Sequence, residues 1–105
     1  MWNENDTMMA LVEDIEQGRI TSPAKCPVCN KNHAHFLMHK ANETTGRGTA
    51  WIWCDDCKNY SHFAYFVPDW WRNPSFIDME KLNSNVEYPH SIEDEIDEWI
   101  KALVK

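Results

Sequence analysis

Cys26-Pro27-Val28-Cys29 and, after 24 intervening residues, Cys54-Asp55-Asp56-Cys57 decide how this 105-residue chain is read. Two Cys-x-x-Cys pairs at such a separation supply four thiolates, the full ligand set of a closed tetrahedral zinc site. Within each pair the two-residue spacer lets a tight turn aim both sulfurs at one point, where backbone N–H groups can donate to them. Asn30 follows the first pair at a position that often needs left-handed backbone, which Asn tolerates better than most side chains. Two disulfides, a redox Cys-x-x-Cys and a rubredoxin-like iron centre are alternative uses of the same residues. Met1 to Asp6 carries acidic residues and no apolar run, so the expectation is a reducing, cytoplasmic setting and one structural Zn2+ on Cys26, Cys29, Cys54 and Cys57.

Through Cys26-Pro27-Val28-Cys29-Asn30-Lys31 and Cys54-Asp55-Asp56-Cys57-Lys58, the chain resembles the zinc-ribbon superfamily. The resemblance covers residues 24–66 and implies two knuckles at the tips of β-hairpins, clamping one zinc between them. It departs from the commonest knuckle in having Asn30 where Gly is frequent and no Pro or Gly inside the second pair. Zinc ribbons serve many unrelated functions, so only the ligands carry over.

The length suits one domain, with a modest core that a metal usefully supplements. Four parts are expected: an N-terminal helix over 1–18, the ribbon over 24–66, a Trp-containing loop region over 67–90 and a C-terminal helix over 91–104. The fold class is α+β, a three-stranded antiparallel zinc-ribbon sheet flanked by the two helices. No apolar run approaches the length that spans a bilayer, so a soluble chain with no membrane partner is expected.

The net charge of −7 is unevenly spread. Residues 1–18 carry five acids and no base, residues 19–66 six bases against three acids, and residues 67–105 nine acids against four bases. A mildly basic ribbon therefore lies between acidic flanks.

In the first segment Met8, Leu11, Val12 and Ile15 recur at helical spacing, with Asp6 or Thr7 as the cap and Gly18 as the stop. The run His33 to His39 alternates as a strand does, placing His33, His35, Leu37 and His39 on one face. Ala41 to Gly48 reads as a hairpin loop, and strands are expected over Thr49–Trp53 and Asn59–Val67, the middle one central. A short helical turn around Phe76 to Leu82 precedes a polar connection. Ser91 is then the expected cap of a helix with Ile92, Ile96, Trp99, Ile100 and Leu103 as its buried stripe, acids in its first turn, and Lys101 and Lys105 at its other end.

His33, His35 and His39 alternate in a way that can converge on an ion. Because four cysteines already satisfy zinc, packing or surface roles are expected for all three. No nucleophile elbow, phosphate-cradling glycine loop or His-Glu-x-x-His motif is present, and four thiolates close a metal to water, so a non-catalytic protein with no small-molecule substrate is expected.

Two functions compete. In the first, the ribbon is a scaffold for a protein-interaction module, an inhibitor or immunity-type binder, whose acidic flanks steer and complement a basic protein. In the second, rings and bases on the sheet bind nucleic acid, as in transcription- or RNA-related ribbons, although an acidic chain repels phosphate at long range. Most rings of the strands are expected to pack beneath the flanking helices and the Trp70-Trp71 pair to lid the sheet edge; where they stay exposed, Arg47, Trp51, Trp53, Trp70 and Trp71 are the candidate partner-binding residues. The protein partner is the preferred reading.

Overall fold

The computed structural model of the chain describes residues 1–82 and 85–104. In chain order these form strand β1 (Asn3–Glu4), a 3-10 turn (Asp6–Leu11) running into helix α1 (Val12–Glu16), strands β2 (Ala34–Lys40), β3 (Arg47–Cys54) and β4 (Asn59–Phe66), and helices α2 (Met79–Leu82), α3 (Glu87–Ser91) and α4 (Glu93–Leu103). The fold is mixed α+β.

The arm between the cysteine pairs folds back on itself. β2 pairs antiparallel with β3 from Ala34 opposite Cys54 to Lys40 opposite Gly48, and β3 pairs antiparallel with β4 from Arg47 opposite Phe66 to Trp53 opposite Tyr60. Asn42 closes the first hairpin, its side chain accepting from the Thr44 and Thr45 amides. Gly48 lies so close to β2 that a Cβ there would meet the His39 carbonyl oxygen at 1.8 Å.

The sheet has four strands rather than three. β1 adds to the outer edge of β4 in parallel, giving the order β1-β4-β3-β2, with Asn3 N donating to Lys58 O and Asn5 N to Tyr60 O. Two residues are too few to show an alternation, so the sequence pattern carried no sign of this strand. The helical segments differ from expectation too. The first begins as a 3-10 turn capped by Asn5, whose side chain accepts from Thr7 N, so neither Asp6 nor Thr7 is its cap. Gly18 ends the segment at φ +65°, as expected of a stop. Ser91 is not the cap of the last helix: it closes α3 and its hydroxyl donates to Tyr88 O, a backward bond typical of Ser in helices. The expected polar connection before it contains α3. Lys105 lies outside the described residues.

Both faces of the sheet are covered. Ala34 to Met38 and Ala50 to Cys54 are all buried. One face presents His35, Leu37, Trp51 and Trp53 and meets α4 through the His35–Asp97 and Trp53–Glu93 hydrogen bonds. Phe36 belongs to the other face and packs against Trp71, ring centroids 6.4 Å apart. Trp53, Trp71 and Phe36 are among the largest fully buried side chains, and each contributes roughly 1.5–3 kcal/mol by leaving water. Among the described residues no helix is long and apolar enough to cross a membrane.

Candidate metal centre

Both cysteine pairs sit on sharp turns that join strand-like segments. The first is closed by an Ala24–Ala34 bridge and by Cys26 N donating to Lys31 O; the second joins β3 to β4. The two turns share one backbone device. Asn30 N donates to Cys26 O and Lys58 N to Cys54 O, and both donors stand in left-handed backbone at φ 65° and 61°. Asn30 was the residue expected in that conformation. Lys58, at the same position after the second pair, carried no such signal because Lys has no preference for it.

Amides in the turns point at sulfur: Val28 N lies 3.4 Å from Cys26 Sγ and Cys57 N lies 3.5 Å from Cys54 Sγ. Asn59 Nδ2 adds a donor 3.1 Å from Cys57 Sγ. The four sulfurs all lie within 4.8 Å of one another, with Cys26 to Cys57 and Cys29 to Cys54 each at 3.7 Å. Four sulfurs placed tetrahedrally about 2.3 Å from one ion lie about 3.8 Å apart, so these residues fit a shared metal. A disulfide needs about 2.05 Å, and all four cysteines are free.

Burial and hydrogen bonding pull the thiols in opposite directions. Burial pushes the Cys26 and Cys54 thiols up, outweighing the turn amides that favour the thiolate. Burial acts on Cys57 in the same direction, but the side-chain and backbone hydrogen bonds of Asn59, with those of Cys54 and Cys26, outweigh it and bring this thiol down to about 7. An ion would ionise the two buried thiols, and closed four-sulfur coordination leaves no position for water. Such a centre fixes two distant turns relative to each other.

Of the candidate partner-binding residues, the structure leaves only Arg47 open to solvent, with its guanidinium 6.0 Å from the exposed Phe66 ring. Trp51, Trp53 and Trp71 are buried, as the alternative of core packing and a lid has it: in a sheet covered on both faces, large rings fill the interior. Trp70 is half-buried, donates through Nε1 to Ile15 O and packs edge-on to Trp71, so the pair forms a lid joining α1 to the sheet.

The acids of the last helix divide. Glu93 and Asp97 turn inward to His35 and Trp53, whereas Asp94, Glu95 and Glu98 rim a shallow depression of about 610 Å³ floored by Phe76, Trp99 and Ala102. Phe76 is exposed and meets Trp99 edge-on at 6.4 Å, and Trp99 Nε1 is held by Arg72 O. Trp99 was read as part of the buried stripe. It is half-buried and packs against the core with Ile92 and Leu103, beside the fully buried Ile96 and Ile100. No family model, curated protein or solved structure matches this chain.

Proposed function

We propose that this is a non-catalytic zinc-ribbon protein in which one Zn2+ on Cys26, Cys29, Cys54 and Cys57 holds a scaffold for binding a basic protein in the cytoplasm, in the manner of an inhibitor or immunity-type binder. Zinc is favoured because an all-thiolate tetrahedral set suits it and because it has no redox chemistry to perturb a structural role. The observation that carries the interaction role is the depression on α4, where an apolar floor of Phe76, Trp99 and Ala102 carries a rim of Asp94, Glu95 and Glu98. The exposed Phe76 and half-buried Trp99 rings beside Asp94 and Glu95, with Glu98 already paired to Lys101 at 3.2 Å, suit a partner segment bearing Lys or Arg around an apolar anchor.

Nucleic-acid binding has weaker support. Of the rings in the strands only Phe66 is broadly exposed, and Glu16 lines the same hollow as Arg47 and Phe66. That arrangement offers one stacking surface with a carboxylate beside it.

The test is affinity capture from the native host with the natural protein and two variants, Asp94→Asn/Glu95→Gln/Glu98→Gln and Phe76→Ala. The expected result is a basic protein whose binding weakens with salt and falls at least tenfold in each variant. Capture of nucleic acid, or of a protein indifferent to both variants, contradicts the proposal.

A further inference from the structure

A second cluster lies on the sheet face opposite Phe36 and uses none of the cysteines. His35 Nε2 is 2.6 Å from Asp55 Oδ2 and 3.7 Å from Glu93 Oε1, and the three side chains place one ligand atom each within 4.8 Å of the others. They come from three separate parts of the chain: β2, the second cysteine turn and the first turn of α4.

Each of the three has an outer partner that fixes its orientation. Asp97 Oδ1 lies 2.9 Å from His35 Nδ1 and also accepts from Ser22 Oγ, and all three residues are buried. His33 Nδ1 holds the other Asp55 oxygen at 2.8 Å. Glu93 Oε1 accepts from Trp53 Nε1 at 3.0 Å and meets His90 Nδ1 at 2.7 Å. Burial lowers the His35 pKa, but hydrogen bonds to Asp97 through Nδ1 and Asp55 through Nε2 outweigh it and raise it to about 9; once the Nε2 proton is displaced, the Asp97 bond to Nδ1 would orient the Nε2 lone pair as outer-shell carboxylates do for metal-binding histidines.

Charge points the same way. Asp55, Glu93 and Asp97 surround one imidazole, and Asp94 and Glu98 add carboxylates to the wall of an adjoining cavity of about 400 Å³, where His33 and a Lys101 paired to Glu98 are the other basic side chains. Ligands held about 2.1 Å from a shared ion at right angles lie about 3 Å apart, so an ion needs only a small separation of His35 from Asp55 and a small approach of Glu93. It would take the place of the proton now shared between His35 and Asp55.

We propose that His35, Asp55 and Glu93 form a second site for a divalent transition-metal ion, with Asp97 as a positioning residue on His35 and open coordination positions toward the cavity. One nitrogen and two carboxylate oxygens suit such an ion better than a soft thiolate-seeking one. Three protein ligands, unlike four cysteines, leave room for water or another small ligand. His35, Asp55 and Glu93 themselves lie outside the docking depression, although Asp94 and Glu98 border both hollows.

The experiment titrates Co2+ into protein already carrying one zinc per chain. The expected result is one Co2+ per chain by equilibrium dialysis, with weak d–d absorption and no thiolate-to-cobalt charge-transfer band. Glu93→Gln should lower Co2+ affinity by more than about 100-fold at unchanged zinc content and circular dichroism, and Asp97→Asn by about 10- to 100-fold. Asp55→Asn should match Glu93→Gln; if it fails to fold because it adjoins Cys54, the Glu93→Gln result alone decides. No cobalt beyond the zinc, cobalt bound with a thiolate band, or affinity unchanged by Glu93→Gln overturns the proposal.

Discussion

Asn30 and Lys58 occupy the same place in two separate turns, one residue beyond a cysteine pair, and both stand in left-handed backbone, at φ 65° and 61°. Left-handed backbone is costly for a residue with a Cβ and free for glycine. Lys58 also holds its ammonium 4.8 Å from the Trp2 ring, so replacing it changes two things at once. Comparing Lys58→Gly with Lys58→Ala removes the ammonium from both and isolates the backbone. The glycine variant should be more stable by about 1 kcal/mol in chemical denaturation of the metal-loaded protein.

Asn59 is the side chain that gives Cys57 a hydrogen bond from outside the turns, at 3.1 Å. Its loss should leave the four sulfurs in place but make the Cys57 thiolate harder to form. Asn59→Ala is expected to weaken zinc affinity about tenfold in competition with a chromophoric chelator, with the fold retained at saturating zinc.

His62 stacks on Trp51 with centroids 3.7 Å apart, and its buried Nε2 has no hydrogen-bond partner among the described residues. Burial holds its pKa below the usual imidazole value against a weak opposing pull from Glu4. The unfolded chain takes up this proton near pH 6.5, the folded chain only at lower pH. Stability contributed by the neutral ring is therefore present above about pH 6.5 and lost as the pH falls from there toward the lower folded value. Proton NMR should show a His62 midpoint below that of an ordinary histidine, and His62→Phe should lessen the fall in stability between pH 6.5 and 5.

How much of this was legible in sequence follows from the physics of each part. The four-cysteine cluster could be read because the spacing of its ligands is local, and so could the hairpin, whose polar, glycine-bearing turn is marked in the sequence, although β3 reaches back to Arg47 and takes in two residues expected in the loop. β1 could not, since a two-residue strand depends on what β4 offers it. Fates of the rings were illegible for a related reason: a tryptophan on a strand is inside or outside according to what covers that face. Covering by α4 buried Trp53 and, with it, His35. The cluster around His35 left no local pattern because its other members sit 20 residues or more from His35 along the chain, and Asp97 is one of five acids in the last helix. An acid one turn from Glu93, at the i+4 spacing that shares a face, was the one available sign.

The central claim is that a single ion joins the two turns through all four sulfurs. A structural zinc contributes on the order of 10–16 kcal/mol of apparent folding free energy, comparable to the whole stability of a domain this size. Zinc-edge X-ray absorption on purified protein, with metal content determined on the same sample, tests it most directly. The account predicts one zinc per chain with four sulfur neighbours at about 2.3 Å, and loss of the fold when a strong chelator removes it. A chain that keeps its native circular dichroism with no metal bound, or zinc coordinated by fewer than four sulfurs, would contradict it.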